Sequence, residues 1–482
     1  MRVFFSLMLS LILSPISQAS EFDDLVKHVP RGGNAVMAID VAKTLAAPIA
    51  KANGWDKKIS DSTNRPMYLP PEADKVLAVA QFDIVRDFNR GWDVTLFGLT
   101  ESIPLRLVAR AEGGYLDKIE GTDAVWIPSD AYVLQPAENT LVMQAPANRQ
   151  AVARWIDRHK NSHVSEIPEY LGVAVSAMKR DPQIVMALDA SDAPQTHRVK
   201  QQLEKSGFIE KHDLNLDQMT TLVSGLRGVV LEVSLTDKIA ATARIDFSEK
   251  VTLNSNVAKA LVLAALDARQ MSLPGLDSWK CAVVGKSIVM DGDLPMDSLR
   301  RLLSLMEPPS TKFSSLKDAN VETASGDDMA QNSLEYFQAT QALMKDLRQK
   351  AGSYTSDAYW IDRYAGKIDR LPILHVDDDL LDYGQKLSET LRVMSGSRKM
   401  TNLQGGAAAR GELSTGGISY DSGYGYGNYS YSTPRSRETA AGNDRANAAA
   451  SGTAVKLQGW NLIDNATTEI RREMTKRYNL QF

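Results

Sequence analysis

The sequence predicts an α+β protein: two repeated, mainly antiparallel sheet-plus-helix units followed by a C-terminal helical bundle with a disordered insertion. Three observations predict it. Arg31-Gly-Gly-Asn-Ala-Val-Met-Ala-Ile-Asp40 returns as Arg180-Asp-Pro-Gln-Ile-Val-Met-Ala-Leu-Asp189, with Arg, Val, Met, Ala and the final Asp unchanged. Leu99-Thr-Glu-Ser-Ile103 is echoed by Leu235-Thr-Asp-Lys-Ile239. Beyond about Asp327 the apolar residues recur at three- and four-residue steps instead of in strand-like runs.

Residues 1–19 read as a cleavable signal peptide, with Arg2, an apolar run from Val3 to Leu13, Pro15, and small residues at Ser17 and Ala19. The run is too short to span a bilayer, and no Cys follows it to carry a lipid. The expected product is exported, periplasmic or extracellular, with no transmembrane span in the mature chain. A net charge of −4 argues against nucleic acid, which needs a basic face. The single Cys, Cys281, cannot form an internal disulfide, so stability rests on packing. Its apolar neighbours point to a buried thiol rather than a nucleophile.

Residues 20–160 form the first predicted unit and 161–309 the second. Each starts with a short helix, Phe22 to Val29 and Tyr170 to Lys179. A continuous apolar strand follows, Ala35 to Asp40 and Ile184 to Asp189, as a central buried strand requires. A helix comes next, over Val41 to Ala52 and Ala193 to Ser206, with Gly54 and Gly207 placed as C-terminal caps. Lys75 to Phe82, Asp93 to Leu99 and Pro104 to Ala111 extend the first sheet; Gly228 to Leu235 and Ile239 to Phe247 extend the second. The second echo is expected at the last strand reversal of each set. A hairpin and a helix close each unit: Tyr132 to Gln135 with Leu141 to Gln144, then a helix after Pro146; Lys280 to Val284 with Ser287 to Met290, then a helix after Pro295. The helices are expected on one face of the sheet.

Residues 310–326 are the expected linker and 327–402 a helical region. Leu334, Phe337, Gln341, Met344 and Leu347 make one helical stripe, and Leu380, Leu381, Gly384, Leu387, Leu391 and Met394 another. Residues 403–454, rich in Gly, Ser and Tyr, lack core-forming stretches and are expected to be disordered. Residues 455–482 form the last helix, with Trp460, Ile463, Thr467, Ile470 and Met474 at coiled-coil spacing. Homo-oligomerisation through these C-terminal helices, or capture of a protein or envelope partner, is the expected mode of assembly.

Gly113-Gly-Tyr-Leu-Asp-Lys-Ile, Ala124-Val-Trp-Ile-Pro, Ala131-Tyr-Val-Leu and Pro146-Ala-Asn-Arg-Gln-Ala-Val-Ala-Arg-Trp155 resemble stretches of secreted bacterial proteins of unknown function. Asn332 to Gly384 resembles their C-terminal region. The resemblance implies the same layout and carries no mechanism.

Site chemistry is sparse. His159 and His163 have the spacing of a helical zinc pair, but two ligands do not make a zinc site and no Glu follows the first. Asp40 and Asp189 end the duplicated strands; because both copies keep the carboxylate, helix capping explains them better than catalysis. Asp379, in Asp377-Asp-Asp379, reads likewise as a cap. Arg31 and Arg180, nine residues before those Asp residues, have no assigned role. No nucleophile elbow, phosphate loop or cofactor motif is present, so no catalytic, metal or cofactor residue is assigned. The leading expectation is a non-enzymatic binding or scaffolding protein. The alternatives are a carboxylate-dependent hydrolase with its site between the repeats, and an envelope polysaccharide-binding protein using exposed Trp and Tyr.

Overall fold

A computed structural model describes residues 22–55, 69–85, 88–161, 165–191, 193–309, 326–348, 357–371, 373, 375–414, 418–421, 428–431 and 434–482, with backbone alone at 161, 326–328 and 397–454. The expected signal peptide and most of the expected linker lie outside these residues.

The first unit runs α1 (Asp23–Val26), β1 (Ala35–Asp40), α2 (Val41–Ala46), α3 (Pro48–Ala52), β2 (Ala73–Asp83), β3 (Asn89–Leu99), α4 (Leu105–Glu112), β4 (Tyr115–Ile119), β5 (Thr122–Ile127), β6 (Ala131–Ala137), β7 (Thr140–Ala145) and α5 (Arg149–Asn161). The second runs α6 (Glu169–Ser176), β8 (Ile184–Asp189), α7 (Thr196–Ser206), α8 (Phe208–Lys211), α9 (Leu216–Ser224), β9 (Leu226–Leu235), β10 (Ile239–Phe247), α10 (Ser255–Ala268), β11 (Lys280–Val284), β12 (Ser287–Asp293) and α11 (Met296–Ser304).

All of these strands join one 12-stranded sheet in the order β11-β12-β10-β9-β8-β1-β2-β3-β7-β6-β5-β4, antiparallel at every step. The duplicated strands β1 and β8 pair with each other at the centre, Met37 opposite Met186, Val36 opposite Ala187 and Ala38 opposite Val185. Since Met186 is the repeat counterpart of Met37, the ladder has a local two-fold through that pair. Reading outward, each side shows three strands in chain order, then the closing hairpin with its second strand first. The first unit adds the hairpin β4–β5 at its edge. Its two-residue turn, Glu120-Gly121, takes φ 49° and 75°, the left-handed pair that a tight hairpin demands.

The central strands are buried on both faces, which is why they read as unbroken apolar runs. Ala35, Met37 and Ile39 face the larger core with Ile184, Met186, Leu299 and Leu303. Val36, Ala38, Val185 and Ala187 face a second core with Phe22, Leu25, Leu171 and Val175. Helices therefore do not keep to one face as expected. α1, α5 and α6 cross the face opposite α2, α4, α7, α9 and α11.

Two further expectations are corrected. Residues 105–112 form α4, not a strand: Leu105, Val108, Ala109 and Glu112 have helical spacing, and Gly113 at φ 67° ends the helix. The second echo is not structurally equivalent, because Leu99 ends β3 while Leu235 ends β9, the counterpart of β2.

The C-terminal region comprises α12 (Gly326–Leu347), α13 (Ala358–Ile368), α14 (Asp378–Ser414), a two-stranded ribbon of β13 (Ile418–Asp421) and β14 (Asn428–Tyr431), and α15 (Pro434–Tyr478). α14 and α15 thus run on in backbone into the segment 403–454, where no core was expected. Phe337, Met344, Leu347, Leu380, Leu387, Leu391, Met394, Ile463, Ile470 and Met474 share one core. A polar relay crosses it: Gln341 Nε2 donates to Tyr383 Oη (2.8 Å), which donates to Thr467 Oγ1 (2.7 Å), which donates to the Ile463 carbonyl (2.7 Å). Gly384 is required because a Cβ there would overlap Tyr336 Oη. Phe482 folds back against Phe337 and Tyr478.

The last turn is held electrostatically. Arg477 donates to both oxygens of Asp377 (2.8 and 2.7 Å) and to Asp379 (2.5 Å), and Tyr478 Oη donates to Asp377 (2.5 Å). Burial alone would raise the Asp377 pKa, but these hydrogen bonds outweigh it and hold the carboxyl below the usual range. A depressed carboxyl stabilises the fold above its unfolded pKa, near 3.9, and loses that contribution as pH falls through the folded value. Asp377→Asn should therefore lower the urea midpoint at pH 7, and the gap from wild type should close as pH falls through 4 to 2. Parallel pH–stability curves would refute the anchor.

Candidate functional site

The distinctive cavity lies on the face crossed by α5. Asn148 starts that helix: its Oδ1 accepts the Ala151 N–H at 3.0 Å, and its carbonyl accepts the Val152 N–H. Arg149 ties the first turn to β4, donating to Asp117 at 3.0 Å and to the Lys118 carbonyl at 2.9 Å. The Arg149 hydrogen bond holds the Asp117 carboxyl below its ordinary range. Val152 and Ile156 fill the small core against Ile119, Tyr132 and Leu134. With that stripe committed, Ala151, Arg154, Trp155 and Arg158, at steps of three, one and three, form a second face.

This face roofs a cleft of about 260 Å³. Its floor is Trp92 and Val94 of β3 with Val142 and Gln144 of β7; Arg31 and Glu166 close the sides. Gly33 permits the close approach of the chain before β1, since a Cβ there would overlap Val79. Arg31, Arg154 and Arg158 have exposed heads and no ion pair among the described residues. Three guanidiniums against one carboxylate, Glu166, leave the cleft with a net charge of about +2. Gln144 Oε1 is buried without a partner.

Trp155 is locked in place. Its Nε1–H donates to the His28 carbonyl at 3.1 Å, and its ring stacks on His159 at 6.0 Å. His159 Nε2 and His28 Nδ1 stand 3.0 Å apart and share one hydrogen. The partner that the structure gives His159 is thus His28, across the sheet unit. His163 lies outside the described residues, and among those described no group of three or more His, Cys, Asp or Glu could hold a metal.

The carboxylates expected to cap helices divide. Asp40 Oδ1 accepts the Lys43 N–H at 2.8 Å as the N-cap of α2. Asp189 does not cap a helix: α7 starts only at Thr196, and Asp189 instead accepts the Ser191 N–H and hydroxyl at 3.0 and 2.6 Å, closing a local turn. Asp379 does not cap either. Asp377 accepts the Asp379 N–H at 3.0 Å at the start of α14, leaving the Asp379 carboxylate for Arg477. Arg31 and Arg180 also part: Arg31 lines the cleft, while Arg180 pairs with Glu232 at 2.5 Å. Cys281 is half-buried rather than fully buried as expected, and that burial raises its thiol pKa, favouring the protonated form.

Trp92, Gln144, Arg154 and Arg158 were not singled out in the sequence. The helical spacing of Arg154, Trp155 and Arg158 opposite Val152 and Ile156 was a usable signal. Trp92 and Gln144 carried none, because the β3–β7 register alone brings them together, Val94 opposite Gln144.

No family model and no curated protein matches the sequence. Among solved structures, crystal forms I, III and IV of TP0453 match 58% of this chain and 97%, 96% and 95% of their own, at 11%, 14% and 14% identity and TM-scores of 0.35, 0.34 and 0.32.

Asp40→Ala should cost about 1 kcal/mol in urea denaturation, the ordinary worth of an N-cap, and Asp189→Ala roughly half of that or less. Equal losses would contradict the division of roles.

Proposed function

We propose that the chain is an exported, non-enzymatic binding protein whose α5 cleft takes an acidic saccharide of the cell envelope. The observation that carries this reading is the convergence of three unpaired guanidiniums on two tryptophans. Guanidinium forks suit carboxylates and phosphates. Indole faces suit the apolar faces of sugar rings. Asn148 at the start of α5 and Gln144 in the floor, whose Oε1 has no partner, supply hydroxyl-directed groups to the same cleft. No nucleophile or acid–base pair accompanies them among the described lining residues. The hydrolase alternative needed two converging carboxylates or a His–carboxylate pair in a groove between the repeats. The pocket lined from both repeats, by Ile39, Val41, Trp55, Ile184, Leu235 and Leu299 among others, has no carboxylate or His among its described lining residues, and the α5 cleft holds Glu166 as its one acidic lining residue.

Isothermal titration of the full chain with oligogalacturonate should give saturable binding, and neutral dextran oligomers of equal length should not. Arg154→Ala with Arg158→Ala should weaken binding at least about tenfold, since each lost charged hydrogen bond is worth ~1.5–3 kcal/mol. Equal affinity for acidic and neutral sugars, or none for either, would remove the reading.

To the helical region we assign assembly. Val393, Leu457 and Leu462 stand 63%, 63% and 62% exposed on α14 and α15, apolar surface the inner core does not need. Light scattering should show an oligomer that Leu457→Lys with Leu462→Lys dissociates. A monomeric wild type would end this assignment.

A further inference from the structure

Where the sheet body meets the helical region, cations outnumber carboxylates in a place with little water. α11 contributes Arg300 and Arg301; α13 and the turn after it contribute Arg363, Lys367 and Arg370; β3 contributes Arg90. Against these six stand Asp93, Asp346 and Glu307. Three pairs form: Lys367 with Glu307 at 2.7 Å, Arg90 with Asp93 at 3.2 Å, and Arg300 with Asp346 at 2.9 Å. All six of these side chains are less than 20% exposed.

The other three guanidiniums find only neutral oxygens. Arg363 donates to Ser304, through Nε to Oγ at 3.2 Å and through Nη2 to the carbonyl. Arg370 Nε, in the turn after α13, donates back to the Gly366 carbonyl of that helix at 3.0 Å. Arg301, fully buried, donates through Nη2 to the Asp346 carbonyl at 3.0 Å, and its Nε and Nη1 have no partner. Asp369 also acts on Arg370, but it is bonded to Arg392 near the surface. Burial, with Arg90 and Arg370 adding repulsion, brings the Arg363 pKa down to about 10, so it stays charged at neutral pH. Burial and then Arg90 lower Arg370 in the same direction. A surplus of like charge out of water, with each nearby carboxylate already paired to another cation, is costly, and proteins tolerate it where something compensates.

A cavity opens at this place. It measures about 30 Å³ and is lined by Ser304, Glu307, Arg363, Lys367 and Arg370 among apolar neighbours. The pocket is small and open at its mouth, so an oxyanion need seat only part of its oxygens inside while the rest stay in solvent. We propose that this junction binds one small oxyanion, a phosphate, a sulfate or the carboxylate end of a ligand, between Arg363 and Arg370, and that the anion cements the helical region to the sheet. Oxyanions match the guanidinium fork, and chloride does not. The site is separate from the α5 cleft and does not depend on the saccharide reading.

The test is thermal unfolding of the full chain in phosphate, sulfate and acetate against chloride at equal ionic strength, with titration calorimetry to count sites. The expected result is a saturable rise in Tm for oxyanions over chloride, with one site per chain. Arg370→Met removes a guanidinium whose one hydrogen bond is a local one, back to the last turn of α13, so the fold should persist. It should abolish the rise while leaving Tm in chloride unchanged or higher, as repulsion on Arg363 and Arg90 is relieved. Phosphate and sulfate acting alone would assign an inorganic ion; acetate acting as well would assign a carboxylate end. The inference falls if oxyanions give no rise over chloride, if Arg370→Met responds as fully as wild type, or if the response disappears in the Arg154→Ala, Arg158→Ala variant, which would place the anion in the cleft.

Discussion

The antiparallel ladder between β1 and β8 is the constraint on which the rest of the molecule depends. Each duplicated strand is apolar on both sides, so neither can sit at a sheet edge without exposing a buried-type face and an unpaired row of backbone groups. Pairing the two copies removes both edges at once. It also sets register for everything outside it: with Met37 opposite Met186, odd residues of β1 and even residues of β8 face one core, and the others face the second. A slip of one residue would exchange the faces of a whole half. The scaffold is thus one continuous sheet grown from its centre, rather than two separate sheets.

The α5 cleft lies where the symmetry breaks. The two closing helices leave matching hairpins but go to opposite faces, α11 to the larger core and α5 to the other. α5 can do so because β4–β5 widens the first half and supplies Asp117 and Ile119 as its seat. A helix laid on that face with one stripe buried holds its second stripe above β3 and β7, and the space beneath is the cleft. The same divergence explains the paired residues of the repeat. Arg31 faces the cleft while Arg180 is satisfied by Glu232, and Asp40 caps a helix that starts at once while Asp189 turns a loop that delays its helix to Thr196.

What was legible in the sequence follows from how local its cause is. The central strands, the closing hairpins, the glycine caps at Gly54 and Gly207, and the helical stripes of the C-terminal region were legible because burial on a fixed period writes itself into spacing. Residues 105–112 misled because a short apolar run fits either period, and its Leu105, Val108 and Ala109 spacing was the better signal. Shared chemistry between repeat copies also misled, since Asp189 keeps the residue of Asp40 without the helix it would cap. The cleft was legible only in its helix. Its floor depends on partners about fifty residues apart, Trp92 and Gln144, joined by a strand order that no local pattern encodes.

The helical region shows how the same chain handles long-range attachment differently. Its interior is apolar, and Met271 with Leu266, Leu273 and Leu305 continues that core onto the sheet body; beside this patch the contacts are charged or polar: Trp360 to the Ser272 carbonyl, the Tyr359 N–H to the Gln270 carbonyl, Lys367 to Glu307, Arg363 to Ser304. The apolar patch holds the two together, whereas the charged part gains little from attraction alone, because buried ions give back in desolvation much of what they gain in pairing. It gains specificity, since each donor must meet its own oxygen, and it gains sensitivity, since a surplus of guanidinium charge favours an oxyanion that matches the fork. An apolar junction of the same area would hold the helices as well and respond to nothing. The surplus guanidiniums on α11 and α13 therefore make attachment of the helical region, and with it presentation of the exposed α14 and α15 faces, the step in this architecture most open to control by a ligand.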